Sequence, residues 1–239
     1  AQPAGERRQI TAMFCDMVGS TELAQRLDPE EMQQVVQGFR NRCSEAVARY
    51  DGHVSRYLGD GVLIHFGFPT AHEDDAERAV RSGIDLLTRN NADDPAEAHP
   101  TDLRIGIATG LVVVGELEDA ASQPEKSLFG DALNLAARLQ GLAAPNGMLV
   151  GDLTRRLVGN LFEFDDLGQQ EIRGFAKPVQ VWSVLGEARG EGRFRAQRAF
   201  GGLSDFVGRS WELDLLQDRW QKAKDGKGQA VLRPATVQQ

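Results

Sequence analysis

Residues 10–22 read ITAMFCDMVGSTE and place a strand, an acidic side chain and the start of a helix in immediate succession. The apolar run at its beginning is dense enough for a buried strand. Asp16 follows where that strand is expected to end, and the Ser and Thr of residues 19–21 are typical helix N-caps. A carboxylate there can hold a cation, and the free N–H groups of a helix start attract an anion. The stretch therefore predicts a site for a metal-bound phosphate, although a single Asp in such a turn is also typical of an ordinary cap.

A second acid, Asp60, lies in a comparable setting at the tip of a predicted β-hairpin, between Gly59 and Gly61. Flanking glycines let backbone and ligand approach closely, but Asp-Gly is also a favoured turn pair. If the two strands are neighbours in one sheet, Asp16 and Asp60 converge. Two hard oxygen ligands with open coordination positions suit Mg²⁺ or Mn²⁺ that bridges substrate phosphates.

A third segment, SLFGDALNLAARL at residues 127–139, contains Asn134 and Arg138 at i, i+4 spacing on one helix face. The pattern is that of an ordinary helix with an exposed arginine. It also fits a polar pair that is directed at charge developing on a phosphoryl group.

Composition limits the function classes. The chain has 239 residues, 41% hydrophobic and 26% charged, which indicates one large globular domain or one domain and a fragment. A net charge of -8 argues against general binding of nucleic acid or anionic membranes. Cys15 and Cys43 form no disulfide framework, which indicates a reducing compartment. No apolar run approaches the roughly 20 residues of a membrane span, so we expect a cytoplasmic protein with no membrane contact.

The periodicity of apolar residues predicts an α+β fold, with one mostly antiparallel sheet flanked by helices. Asp28, followed by Pro29 and two acids, marks the restart of a second helix after a short first one. Strands are expected at residues 10–16, 53–58, 62–68, 103–117 (one strand or a pair), 148–150, 162–167, 171–173 and 179–185. Helices are expected within 21–50 and at 71–90, 129–142 and 152–157, with polar loops at 91–100 and 118–125.

Four domain segments follow from composition: a flexible lead-in at 1–8, one domain at 9–186, a basic glycine-rich linker at 187–203, and the start of a further domain at 204–239. The last segment is too short to build a core alone.

Four segments, FCDMVGST, RYLGDGVLIHFG, SLFGDALNLAARL and IRGFAKPVQVW, together resemble the catalytic domain of class III nucleotidyl cyclases in order and spacing. The resemblance covers roughly residues 8–185. It implies the ferredoxin-like core of that family and a homodimer whose two domains pair head to tail, with sites across the interface. The residues that it implies are Asp16, Met17 and Asp60 for metal; Asn134 and Arg138 for catalysis; Val18, Gly19, Ser20, Thr21, Arg173 and Lys177 for phosphate; and Arg56 and Ser127 for the base.

The reaction that the resemblance implies is cyclisation of a nucleoside triphosphate with two Mg²⁺ or Mn²⁺ ions per site. Arg138 would stabilise the transition state and Asn134 would position the ribose. Asp16 and Asp60 would come from one chain, and Asn134 and Arg138 from its partner.

The base-binding positions depart from the family pattern. Adenylyl cyclases usually have Lys at position 56 and Asp or Thr at 127, whereas guanylyl cyclases usually have Glu and Cys. Ser127 is close to Thr and can donate or accept a hydrogen bond. Arg56 keeps the charge of Lys, but it is larger, planar and only a donor, so it could donate to adenine N1 or guanine O6. We expect ATP as the substrate and an adenylate cyclase as the enzyme.

Two alternatives stay open: a guanylate cyclase, and a catalytically weak cyclase-like module that binds nucleotide or dimerises and regulates a following NTPase domain. A diguanylate-type synthase is disfavoured because the chain has no GGDEF-like signature. Residues 204–239 resemble the entry to the NTPase domain of bacterial regulators. Because this chain has no GxxxxGK[ST] phosphate loop, we assign it no ATPase activity.

Overall fold

The computed structural model describes residues 6–90, 101–117 and 125–188, together with 218–220, 222 and 224. The chain separates into two compact units, residues 1–200 and 201–239. The strands of the first unit are β1 (Glu6–Met17), β2 (His53–Leu58), β3 (Gly61–Phe66), β4 (Leu103–Leu117), β5 (Glu125–Phe129), β6 (Gly147–Gly151), β7 (Phe162–Gln170) and β8 (Val179–Glu187). Its helices are α1 (Ser20–Arg26), α2 (Pro29–Arg49), α3 (Asp75–Asn90), α4 (Asp131–Leu142) and α5 (Asp152–Val158).

All eight described strands form one sheet, in the order β2-β3-β1-β4-β6-β8-β7, with β5 paired to β4. The β4–β6 pair is parallel, and the other described pairs are antiparallel. The expectation of a mostly antiparallel sheet with flanking helices is therefore confirmed. The apolar strand β1 lies between β3 and β4, which explains why its run of apolar residues is buried.

Helices cover both faces of the sheet because side chains alternate along the central strands. Met13 and Cys15 of β1 pack with α2 and α3, whereas Ile10 and Ala12 pack with α4. Asp16 shares the even-numbered register of the second pair and therefore lies on the α4 side.

The predicted restart at Asp28 is confirmed as a full capping box. The backbone N–H of Glu31 donates to Asp28 Oδ1 at 2.8 Å, and the Asp28 N–H donates to Glu31 Oε2 at 3.3 Å. Pro29 is the first residue of α2, where its missing N–H costs no hydrogen bond.

Several predicted boundaries are wrong. β1 begins at Glu6, because residues 6–8 continue its pairing with β4 and so do not belong to a lead-in. α3 begins at Asp75 rather than at residue 71. Residues 171–173 form no strand, since a turn closes there with the Phe175 N–H donating to the Ile172 carbonyl at 3.0 Å.

The region before α4 also differs from the prediction. Residues 125–129 pair with β4 as strand β5, so α4 begins at Asp131 and not at 129. β4 is one strand of 15 residues in spite of its glycines. Gly106 and Gly110 do not break the strand, because they lie beneath α4 and give its backbone room to approach.

The predicted loop at 91–100, and the one at 118–125 apart from Glu125, lie outside the described residues, as does the linker at 187–203 apart from its first two residues. In the second unit, Lys222 pairs with Asp218 at 2.6 Å and the Lys224 ammonium lies 5.6 Å from the Trp220 ring centre. None of the helices that the structure describes is long and apolar enough to cross a membrane.

Candidate active site

The two predicted metal-binding acids lie close together at one end of the central strands. β1 and β3 are neighbours, and Asp16 is the cross-strand partner of Gly61, directly after Asp60. The Met17 N–H donates to the Asp60 carbonyl at 3.4 Å, which ties the end of β1 to the hairpin turn. The convergence of Asp16 and Asp60 follows from this register.

The electrostatics of Asp16 reflect this crowding. Burial, and then the nearby charge of Asp60, raise the pKa of Asp16 to about 6. A hydrogen bond from the Met17 backbone, the charge of Arg104 and a hydrogen bond from Gln140 lower this pKa, but by less. Partly buried carboxylates that repel each other favour a cation between them. The donors therefore fit a divalent metal ion that prefers oxygen ligands.

The donor set is small. Within residues 6–90, 101–117 and 125–188, no group of three or more His, Cys, Asp or Glu side chains could enclose a metal ion. A site with only two carboxylates leaves coordination positions for phosphate oxygens, as is usual for Mg²⁺ sites that bind phosphorylated substrates.

The turn after β1 differs in detail from the prediction. The N-cap of α1 is Gly19, in the left-handed conformation at φ 70, and no side chain caps the helix. The Ser20 hydroxyl instead donates to Asp60 Oδ2, because that carboxylate lies beside the turn. The Val18 N–H donates to the Asp102 carbonyl at 2.7 Å and is therefore already satisfied. Of the predicted phosphate-binding residues, Thr21 is exposed at the helix start.

An arginine that the sequence did not single out supports the hairpin turn. Arg40 of α2 donates from Nη2 to the Gly59 carbonyl at 3.0 Å, and its guanidinium lies 4.9 Å from the Tyr57 ring centre. Arg40 thus fixes the backbone immediately before Asp60.

Helix α4 contacts Asp16 on the face of the sheet that the helix covers. A Cβ at Gly106 would lie 2.2 Å from both the Ala136 carbonyl oxygen and the Gln140 nitrogen, so helix and strand are in backbone contact. Gln140 Nε2 donates to Asp16 Oδ2 at 3.3 Å. Arg104 is the cross-strand neighbour of Asp16 on β4. Sequence reasoning missed Gln140 and Arg104, and the only signal for the helix contact was the glycine at 106.

The predicted catalytic pair lies elsewhere on α4. Asn134 and Arg138 are exposed on one face of the helix, whereas Ala136 and Leu139 are buried on the sheet side. The structure therefore brings Asn134 and Arg138 together, but it turns them away from the sheet side of α4, where Gln140 contacts Asp16 of the same chain.

The two predicted base-binding residues lie on strands that are not neighbours. Arg56 is exposed on β2, at a register shift between Val54 and Arg56. Ser127 lies on β5, opposite Gly115 of β4. Three strands of the sheet, β3, β1 and β4, lie between β2 and β5.

The predicted basic phosphate contacts lie in the loop between β7 and β8. Arg173 and Lys177 are exposed, whereas Ile172 between the strands is buried against the core on the α4 side. The loop enters β8 at Val179. The register through β4 and β6 places Asp16 level with the opposite end of β8, so these cations do not meet Asp16 within one chain.

Comparison with known proteins identifies the family to which this fold belongs. The family model of the adenylate and guanylate cyclase catalytic domain matches residues 3–186. Adenylate cyclase 1 of Rhizobium meliloti (strain 1021) is 28% identical over 192 residues, covering 78% of this chain and 29% of that protein. The chain thus spans less than a third of that relative.

Two solved structures are similar in fold and sequence. The adenylyl cyclase CyaB from P. aeruginosa has a TM-score of 0.71 at 28% identity and covers 78% of this chain and 98% of that chain. The guanylyl cyclase Cya2 has a TM-score of 0.72 at 27% identity and covers 79% of this chain and 98% of that chain. With the matched domain spanning most of its length, the chain belongs to the class III nucleotidyl cyclases, the family of the adenylate and guanylate cyclase catalytic domain.

Proposed function

We propose that this chain contains the catalytic domain of an adenylate cyclase that converts ATP to 3′,5′-cyclic AMP and pyrophosphate. The observation that carries the proposal is the convergence of Asp16 and Asp60 at the end of β1, beside the start of α1. A pair of carboxylates next to a helix start suits a metal-bound triphosphate.

Class III cyclases generally use divalent metal ions, and we propose two Mg²⁺ or Mn²⁺ ions per site. Asp16, Asp60 and the main-chain oxygen of Met17 would hold them. When bound, the ions lower the pKa of the ribose 3′-hydroxyl and neutralise charge on the phosphates. The Ser20 hydroxyl, by donating to Asp60, orients one of these carboxylates.

At phosphorus the reaction forms one bond and breaks one bond, and the proton of the ribose 3′-hydroxyl leaves to solvent. The 3′-oxygen attacks the α-phosphorus in line, and the bond from that phosphorus to the β-phosphate bridging oxygen breaks to release pyrophosphate. Gly19, Ser20 and Thr21 would bind the phosphates at the start of α1, and Arg173 and Lys177 would hold the leaving pyrophosphate. The positive charge of Arg173 and Lys177 would stabilise the leaving group.

Arg138 would donate to the charge that develops on the α-phosphoryl group, and Asn134 would hold the ribose. Both side chains are exposed and share a face of α4 that is not the one contacting Asp16. This supports a homodimer in which they complete the partner's site. A two-fold dimer then has two equivalent composite sites.

Exposed apolar side chains also support the dimer. Tyr57 and Leu58 on β2 are 39% and 44% exposed, and Leu111 on β4 and Phe129 on β5 are 68% and 51% exposed. Leu111 and Phe129 lie on the paired strands β4 and β5, whereas Tyr57 and Leu58 lie on β2. Exposed large apolar side chains are typical of surfaces that a partner covers.

Recognition of the base would rest on Arg56 and Ser127. The serine hydroxyl can serve the adenine edge as donor or acceptor. Guanylate cyclase activity is a second candidate, because Arg56 can also donate to guanine O6 and the chain is similar to the guanylyl cyclase Cya2.

Turnover of purified protein with ATP and with GTP, first with Mn²⁺ and then with Mg²⁺, tests the proposal. We expect cyclic AMP from the wild type, a higher kcat/KM for ATP than for GTP, and no product from Asp16→Ala. A higher kcat/KM for cyclic GMP formation from GTP than for cyclic AMP formation from ATP would favour the second candidate. Absence of any cyclic product from folded, dimeric protein would contradict the enzyme and leave a regulatory module.

A further inference from the structure

We infer that Gln140 is a positioning residue for the metal-binding carboxylate of Asp16, and that α4 thereby serves both composite sites of the dimer. The inference rests on the proposed function, because it assigns a role within that metal site. It adds a residue that the resemblance does not supply.

The first observation is the direct contact. Gln140 Nε2 donates to Asp16 Oδ2 at 3.3 Å across 124 positions of sequence. A carboxamide N–H that donates to a carboxylate stabilises its ionised form, which is the form that binds a metal ion. Because glutamine has no charge, it orients the carboxylate without repelling a divalent cation. An arginine or lysine at position 140 would repel that cation.

The second observation is that the backbone of Gln140 is held in place. A Cβ added at Gly106 would lie 2.2 Å from the backbone nitrogen of Gln140, so the backbones of α4 and β4 are in direct contact. Gly106 pairs with Phe14, two residues before Asp16 on β1. A donor on a rigid helix, packed on the strand next to the ligand, restricts the orientation of that ligand.

The third observation concerns the helix as a whole. Gln140 follows Arg138 by two positions, which is roughly 200° around the axis at 3.6 residues per turn. Arg138 is exposed, whereas Gln140 is partly buried and contacts Asp16 of its own chain. One helix therefore presents Arg138 to the partner's site and Gln140 to its own.

Binding of Mn²⁺ alone, followed by electron paramagnetic resonance on the full chain, tests the positioning role without turnover. Gln140→Met keeps the length of the side chain and removes the donor, and Gln140→Asn keeps the amide but is too short to reach. We expect both variants to bind Mn²⁺ about ten- to a hundred-fold more weakly, the range for partners of metal ligands. Gln37→Met is the matched control, because Gln37 Nε2 also donates from a helix, to Asn41 Oδ1 at 2.9 Å.

The outcomes separate the inference from the function. If folded Gln140→Met and Gln140→Asn bind Mn²⁺ as tightly as wild type while Asp16→Ala does not, the positioning role is wrong and the proposed metal site stands. If the wild type shows no Mn²⁺ binding that Asp16→Ala removes, both are overturned. Weaker binding in Gln140→Met with unchanged binding in Gln37→Met supports the inference.

Mixed dimers test the assignment of Gln140 to its own chain's site. At a Mn²⁺ concentration too low to load the site of Gln140→Met, a mixture of Gln140→Met with Arg138→Ala forms one intact site per mixed dimer, so we expect recovery to about a quarter of the wild-type rate under random pairing. Gln140→Met mixed with Asp16→Ala cannot form an intact site and should show no recovery. The reverse pattern would place Gln140 in the partner's site and overturn the inference.

Discussion

Asp16 shows how a carboxylate that we propose as a metal ligand lowers stability when no metal is bound. Its pKa is raised to about 6, chiefly by burial and then by Asp60, from an ordinary value of 3.8. The folded state therefore binds the proton more tightly than the unfolded state. This contribution to stability is complete below pH 3.8 and is lost as the pH rises through 6.

We predict that Asp16→Asn is more stable than the wild type at pH 8 in the absence of metal, because the amide has no charge to repel Asp60. After allowance for solvent screening the difference is about 1–2 kcal/mol, and it should vanish at pH 4. Thermal melts at the two pH values measure it. Added Mn²⁺ should stabilise only the wild type. The explanation would be wrong if the stability of Asp16→Asn relative to wild type were lower at pH 8 than at pH 4.

The proposed contact of Arg56 with the base predicts that substitution of this residue changes base selection. Arg56→Glu replaces a donor by an acceptor, which suits the N1–H and N2–H groups of guanine and disfavours adenine N1. We predict that the ratio of kcat/KM for ATP to that for GTP falls about tenfold or more, because an unmatched hydrogen-bonding group in a binding site is strongly rejected.

Arg26→Glu is the control for Arg56→Glu. Arg26 is also exposed, on α1, and the substitution changes the charge by the same amount. Steady-state kinetics with both nucleotides measure the ratio. An equal shift in both variants would show that charge alone, and not contact with the base, is responsible.

At the scale of elements, the seating of α4 on β4 depends on Gly106. A Cβ there would meet backbone atoms of Ala136 and Gln140 at 2.2 Å, and backbone cannot swing aside as a side chain can. We predict that Gly106→Ala lowers the free energy of unfolding by about 3 kcal/mol or more, and that it weakens Mn²⁺ binding by displacing Gln140.

Gly38→Ala provides the matched control. Gly38 lies within α2, and a Cβ there would have no atom within 4 Å. The substitution should therefore stabilise the protein by about 0.5–1 kcal/mol, because alanine favours a helix. Urea denaturation compares the two variants, and equal effects would show that the approach of α4 to β4 is not tight.

The elements that sequence predicted are those with a strong pattern of their own. β1, the β2–β3 hairpin and the capped α2 each have local signals, namely an apolar run, a Gly-Asp-Gly turn and the Asp28 capping box. β5 was missed, because five residues paired only to β4 have no such signal. The glycines of β4 were ambiguous, since the same residue that breaks a strand also admits a neighbouring helix.

The candidate site follows the same division. Asp16 and Asp60 could each be selected from sequence because each lies beside the end of a predictable strand, but their convergence depended on β1 and β3 being neighbours. Gln140 and Arg40 could not, because their roles depend on which backbone lies next to them in space: Asp16 for the first, Gly59 for the second.

For the molecule as a whole, one chain does not bring all the proposed site residues together. Asp16 and Asp60 lie at one end of the sheet, whereas Arg138 faces outward and Arg173 lies in the loop that enters β8 at the other end. A second copy in two-fold symmetry can bring these groups together. We therefore expect catalysis to require residues of two chains.

Complementation between two inactive variants measures this most directly. Asp60→Ala removes one half of each site and Arg138→Ala removes the other, so either variant alone should lose at least a hundredfold in kcat with ATP. Equal amounts of the two, mixed and allowed to exchange subunits, should recover about a quarter of the wild-type rate, because random pairing yields mixed dimers with one intact site. A mixture that forms mixed dimers and stays inactive, or a single variant that retains full activity, would show that the sites are not shared between two chains.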